Sequence, residues 1–367
     1  MITVLIFIAV LAVIVLVHEF GHFAVARKLG VAVEEFGVGF PPSIAAIKSQ
    51  KTAYSLNWIP IGGFVKIKGE QGDHPDDSDS FGYQKIWRRA LIIVAGVLMN
   101  IVLAFILFSA AYIIGAPSAL DSNPQGTAHV SDRSLQIVSV TDPSPAFSAG
   151  FMIGDIIKTL DGTPVDSILR FRQLVQPHVS NELAITVSRN DQDIELNVAP
   201  EADTDGLGII GVGLVEVGTV RYPFFRAIWE GAKTTVSLLG QIVTAFYSLL
   251  RDLFAARDVA IDVAGPVGIA VLTGQVARLG FVYLLQFAAL LSLNLAIINL
   301  IPFPALDGGR LLFLGIEKIR RKPVSKKVES SIHTVGFALL MVLVVIVTIK
   351  DVSRFSESIS SFFQNIF

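Results

Sequence analysis

The sequence predicts a polytopic α-helical membrane protein: four transmembrane helices, a β-rich membrane-associated loop on the cytoplasmic side, and one external α+β module. Three observations lead there. Four apolar runs of 18 to 25 residues are spaced along the 367-residue chain, each close to the ~20 residues that cross ~30 Å of hydrocarbon. Charged residues make up only 16% of the chain, where a soluble domain carries about 25%. Lys and Arg are concentrated in the segments that follow the first run and precede the last.

Each element follows from local pattern. The first span occupies 1–26, with its helix over 2–24. No basic segment precedes it, and Arg27 and Lys28 follow it, so it reads as a retained span and not a cleaved signal. Residues 27–89 carry four strand signals (36–40, 43–49, 52–60 and 62–69) separated by Gly and Pro turns, a β-meander or hairpins. Within this segment, 74–82 reads as an acidic, flexible connector with neither a helix nor a strand pattern. The second span is 90–115. Charge rises over 127–201, where strands at 135–140, 182–189 and 193–200 outline a compact α+β domain. An external linker, 202–280, holds an apolar stretch at 234–250 that contains Thr, Ser and Gln and is flanked by cations. It reads as an interfacial amphipathic helix, with a fifth span as the alternative. The third span is 281–309, followed by a basic loop at 310–331, a fourth span at 332–350 and an amphipathic tail at 351–367.

The excess of Lys and Arg in 27–89 and 310–331 puts both loops in the cytoplasm and both chain ends outside. A fifth span would place Asp307 on the membrane face opposite His18. Net charge is −2, which offers nothing to nucleic acid. There is no cysteine, so disulfides and thiolate metal sites are excluded.

The first span carries His18, Glu19 and His22 in the pattern H-E-x-x-H. Ionisable side chains inside a bilayer-length helix are costly and mark function by default. Residues i and i+4 share a helix face, so both imidazoles can grip one ion, while Glu19 stands beside them within reach of a water. A catalytic zinc site usually takes three protein ligands and leaves one position open. His74, His129, His178 and His333 lie in loops, in the external module or at the start of the fourth span. Asp307 is the better third ligand: Pro302 and Pro304 break the third helix just before it, at the depth His18 reaches. Zinc fits nitrogen and oxygen donors of this kind. Two other classes stand as rivals. A metal transporter needs polar residues along a path, and spans two and four nearly lack them. A non-proteolytic membrane scaffold with a relic metal site would be free to lose Glu19.

These residues resemble the site-2 protease family of intramembrane zinc metalloproteases, of the bacterial regulator-of-sigma-E protease type. The resemblance rests on HEFGH (18–22), NLIPFPALDGG (299–309), Gly96-x-x-x-Asn100, GVGFPP (37–42), the 54–66 stretch and GPVGIA (265–270). It implies that His18, His22 and Asp307 bind one Zn2+ and that Glu19 is the catalytic acid and base. It also implies that Asn299, with Pro302 and Pro304, shapes substrate binding, and that the β-rich loop enters the membrane and pairs with an unwound substrate. Gly96 and Asn100 share one side of the second span, as a packing pair or as a contact to the active site or a substrate backbone. The external module resembles a single PDZ domain, identified from Ser144 to Val165, in which Asp155 and the Asp161-Gly162 turn read as structural. It captures a peptide or a substrate's external domain, or it acts as a size filter. The implied partners are the lipid bilayer and a single-span membrane substrate, an anti-sigma factor or signal-peptide remnant. The implied location is the bacterial inner membrane.

Overall fold

The computed structural model describes residues 2–49, 52–74, 76–120, 129–189, 192–203, 206–255 and 265–354. In chain order the elements are α1 (Ile2–Lys28), β1 (Val33–Ser49), β2 (Thr52–Ile67), α2 (Ile86–Ile114), β3 (Ala116–Ala119), β4 (His129–Val140), α3 (Pro145–Ser148), β5 (Ile156–Leu160), β6 (Thr163–Pro164), α4 (Ile168–Val175), β7 (Leu183–Arg189), β8 (Gln192–Val198), β9 (Glu201–Ala202), β10 (Gly208–Ile209), β11 (Val212–Arg221), α5 (Phe224–Phe254), α6 (Pro266–Leu279), α7 (Phe281–Leu300), α8 (Asp307–Arg320) and α9 (Lys326–Arg354). They form two compact units: 1–111 with 228–367, and 112–227.

In the first unit, α1, α2, α7 and α9 are long and apolar enough to cross a membrane. Even α7, with 20 residues, spans about 30 Å. The most apolar windows of α1 and α9 are only 11% and 6% buried in protein, so most of their apolar surface points outward, as lipid-facing surface does. The third expected segment is broken at its prolines. Pro302 and Pro304 withhold backbone N–H groups and bias their preceding residues away from helix. Helix α7 therefore stops at Leu300, and a new helix, α8, starts at Asp307. Its apolar side, Leu311 and Leu314, packs inward, which is why 310–320 is helical where a loop was expected. Helix α9 begins at Lys326, more than a turn before the expected 332. The expected amphipathic tail falls almost entirely on 355–367, outside the described residues.

Two ends of this unit are held by different contacts. At one end the start of α1 meets α6, with Gly274 against Thr3, and Asp351 of α9 accepts the amides of Gly265 (3.2 Å) and Gly268 (2.7 Å). This contact is where the GPVGIA stretch is used. At the other end Ala26, Val31, Val33, Ile67, Phe81, Ile92, Ile93 and Leu314 form one core, and Arg89 makes a two-pronged ion pair with Glu317 at 3.1 and 2.5 Å. Where a flexible connector was expected, its described residues 76–82 pack at that end: Phe81 is buried in the core, and Lys68 meets Asp77 (2.6 Å) and Asp79 (2.7 Å).

Strands β1 and β2 each turn back on themselves, so their pairing builds four adjacent runs. Ala46 opposes Ser55, Phe36 opposes both Tyr54 and Val65, and Val33 opposes Ile67. The order across the sheet is therefore 43–49, 52–59, 33–40, 62–67, matching the four strand signals. Helix α5 is longer than the expected 234–250. Its Leu238, Leu239 and Ile242 pack against Ala104 and Phe108 of α2 and Ala289 and Leu293 of α7, while Val236, Val243 and Tyr247 stay exposed.

The second unit is a sheet in the order β3-β11-β4-β5-β7-β8, with β6 added to β5. Alternate residues such as Leu135 and Ile137, or Leu183, Ile185 and Val187, point into one apolar core with Phe171 and Val175 of α4. Ser144 and Ser167 cap α3 and α4 by accepting the amides of Phe147 (3.1 Å) and Arg170 (3.3 Å). Asp155 is 1% exposed and binds Arg189 through both oxygens at 2.7 Å. Burial alone would push its carboxyl up; the Arg189 guanidinium and the Met152 amide outweigh that and hold it below the ordinary value. The unit extends past the expected boundary at 201. Strand β11 (VGLVEVGTVR) completes the sheet, and its Gly and Glu residues break the alternation that would have announced it.

Candidate metal centre

The site begins with two side chains one turn apart on α1. His18 and His22 are 6% and 7% exposed, with their Nε2 atoms 3.2 Å apart. Burial without strain requires a neighbour with no side chain: a Cβ on Gly96 of α2 would overlap both rings, and a Cβ on Gly21 would strike the Ala95 carbonyl. The two glycines let α1 and α2 meet backbone to backbone. His22 Nδ1 lies 2.8 Å from the Ile92 carbonyl oxygen. The Nδ1–H donates there, so the neutral ring keeps a bare lone pair on Nε2.

Asp307 arrives from the first turn of α8. Between α7 and α8 the chain folds back tightly, with Phe303 N–H donating to Ile301 O at 2.7 Å and Leu306 N–H to Phe303 O at 3.2 Å. Gly308 and Gly309 allow that close return, since a Cβ at either would collide with carbonyls of Leu300, Ile301 or Phe303. Asp307 Oδ2 then lies 3.1 Å from His18 Nε2 and 3.3 Å from His22 Nε2. That oxygen is buried and has no hydrogen-bond partner among the described residues.

Three ligand atoms converge at 3.1–3.3 Å; a proton on one imidazole nitrogen serves one such contact, whereas a cation among them serves all three. A regular tetrahedron with that edge puts its centre about 2 Å from each corner, the length of a Zn–N or Zn–O bond. The donor set, two imidazoles and one carboxylate, is one that zinc accepts with a fourth position left open. The residues therefore fit the metal by distance, by donor type and by the orphaned oxygen.

The remaining candidates surround this triangle. Glu19 is half-buried on the same turn. Asn299, near the end of α7, has Nδ2 3.3 Å from His18 Nε2. Asn100 is fully buried, with Nδ2 3.4 Å from His18 Nδ1. Pro302 and Pro304 stand in the turn before Asp307 and shape its path. Two contacts were not foreseen. His333 of α9 is not a ligand: its Nδ1 accepts the Ala305 amide at 2.9 Å and supports the turn that carries Asp307. Arg310, three residues after Asp307, forms an ion pair with Glu70 beside the end of β2. An imidazole in an otherwise apolar span and an arginine directly after Asp-Gly-Gly were the available signals.

The sequence profile described as Peptidase family M50 matches residues 6–343. The chain belongs to peptidase family M50. Relatives are similar along nearly their whole length. A Clostridium perfringens protein whose name marks it as a candidate zinc metalloprotease is 36% identical over 341 residues, 92% of this chain and 95% of that one. The zinc metalloprotease RasP of Shouchella clausii is 31% identical, covering 96% of this chain and 99% of the relative. The regulator of sigma-W protease RasP of Bacillus subtilis is 30% identical, covering 96% and 98%. Among solved structures, a PDZ domain of an SdrC-like protein from Listeria monocytogenes is 24% identical over 23% of this chain and 92% of its own, with a TM-score of 0.22. The M50 chain is thus a membrane-embedded zinc metalloprotease whose candidate ligands converge where α1, α2 and the α7–α8 turn meet.

Proposed function

We propose that this chain hydrolyses a peptide bond inside the transmembrane segment of a single-span membrane protein, as a step of regulated intramembrane proteolysis. The observation that carries the reading is the triangle of His18, His22 and Asp307, built on a bilayer-length helix and closed by a break in another. Zinc held there, one per chain, supplies a Lewis acid that polarises a carbonyl and makes water acidic.

The chain's own residues do the rest. Glu19 takes a proton from the attacking water as its oxygen adds to the carbonyl carbon. When the C–N bond breaks, Glu19 returns a proton to the leaving amine. Asn299 offers an amide N–H2 at the same point, suited to an oxygen that gains negative charge. A helical substrate hides its peptide bonds, so it must open first. The run 62–67 forms one edge of the four-run sheet and has Gly62 and Gly63 against Val15 and Leu16, within a turn of His18. A strand added there has its carbonyls near the metal ligands.

The proposed setting is the bacterial inner membrane, with both chain ends outside and the site towards the cytoplasm. The clustering of the α1 start with the α9 end, opposite Arg89 and α8, supports this arrangement. An anti-sigma factor or a signal-peptide remnant is the proposed substrate type, and the second unit is a PDZ-like filter or docking domain for its external part.

The test compares wild type with Glu19→Gln on a tagged single-span substrate, with zinc content measured in both. Cleavage is expected to fall by at least about 100-fold, the low end for a positioned acid–base group, with zinc retained. Equal cleavage would remove the mechanism. An inert wild type that still holds zinc and substrate would favour a scaffold instead.

A further inference from the structure

Asn100 is 0% exposed and meets the side of the His18 ring that faces away from Asp307. Its Nδ2 lies 3.4 Å from His18 Nδ1, and its Oδ1 has no hydrogen-bond partner among the described residues. The residue is held from behind, where Ser292 Oγ of α7 donates to the Asn100 carbonyl at 2.8 Å. The other ring nitrogen, His18 Nε2, faces His22, Asp307 and the Asn299 side chain.

A neutral imidazole has one N–H and one lone pair. A metal at Nε2 takes the lone pair, so the proton must sit on Nδ1. There it would meet the Asn100 NH2 group donor to donor. The opposite end of the same carboxamide is an acceptor with no partner, and a half-turn about χ2 exchanges the two ends with almost no change of shape. We propose that Asn100 is a positioning residue for the metal: its Oδ1 accepts the His18 Nδ1–H and fixes the tautomer that leaves Nε2 bare. The two ligand histidines are then oriented by different means, His22 by the Ile92 backbone carbonyl and His18 by a side chain that mutation can change. Gly96 and Asn100, one turn apart on α2, divide the work: one makes room for the rings and the other orients one of them.

This inference rests on His18 being a ligand, so the experiment tests that separately. Full-length protein in detergent is stripped of metal and titrated with Zn2+ against a competing chelator. Asn100→Leu keeps the volume without an acceptor; Asn100→Asp keeps the acceptor without a donor. Zinc affinity should fall about 10–100-fold in Asn100→Leu and stay within about threefold of wild type in Asn100→Asp, as for other outer partners of ligand histidines. Thermal unfolding of the metal-free proteins should coincide. Wild-type affinity in Asn100→Leu, or equal weakening in both variants, would overturn the proposal. If Asn100→Leu does not fold, Asn100→Asp decides: retained affinity supports the acceptor role, and a tenfold loss overturns it. His18→Ala with wild-type zinc affinity would instead reject His18 as a ligand, and the proposal with it.

Discussion

The two units bury their polar groups on opposite terms. The core of 112–227 has Leu135, Ile137, Ile157, Leu183, Ile185 and Val187 at its centre; among its described residues Asp155 is a buried charge, and Arg189 answers it. The helical unit has apolar clusters too, but among the described residues it buries more polar side chains. His18, His22, Arg89, Asn100 and Ser292 are inside, while Leu5, Val13, Leu98, Ile106 and most of the apolar length of α9 are outside. Water drives apolar side chains into the middle of the first kind of structure. Lipid offers no such drive, so helices there are joined by close approach at small residues and by polar contacts. The comparison teaches that the metal site lies where helices meet so closely that a Cβ at Gly21 or Gly96 has no room.

Enlarging Gly96 should have the largest effect. Gly96→Val drives a branched side chain into both imidazoles, and zinc affinity should fall by more than about 100-fold, at or beyond the upper end for losing an outer partner of a ligand. Chelator competition measures it, with Gly96→Ala intermediate. Normal zinc binding by Gly96→Val would show that the close approach of α1 and α2 does not seat the rings.

The reverse substitution belongs to the other unit. Ile185→Ala removes buried atoms at 0% exposure and should cost about 2–5 kcal/mol of that unit's stability, read from its denaturant transition. Zinc affinity should not change. If it falls in parallel, the separation drawn between the units is wrong. A gentler probe of the same unit is pH. The Asp155 carboxyl is held below its ordinary value in the fold, so its contribution is complete above the unfolded carboxyl range, about pH 4. It is lost as pH drops through the lower folded value. The denaturation midpoint of the 112–227 unit should therefore drop below pH 4, and less so in Asp155→Asn.

Much of this was legible in the sequence because it was periodic or dense. Four apolar runs, four strand signals after the first span, and three ionisable or imidazole residues within one helical turn each stand out from their surroundings. What escaped was carried by single residues. His333 supporting Ala305 and Asp351 capping α6 have no period and no neighbouring pattern, and only the folded chain shows what they reach. Helix α8 was hidden for another reason: its charged side reads as a basic loop, and its apolar side is just Leu311, Leu314 and their neighbours. Strand β11 was hidden because Gly213 and Gly218 interrupt its alternation.

The central claim is that one ion is held jointly by α1 and by the first turn of α8. X-ray absorption at the zinc edge of the loaded protein tests it most directly, in wild type and in Asp307→Ala. The account predicts two imidazole nitrogens and a carboxylate oxygen at about 2.0–2.2 Å in wild type, with the oxygen gone and zinc weakly held in Asp307→Ala. A third imidazole in the shell, or an unchanged shell in Asp307→Ala, would contradict it.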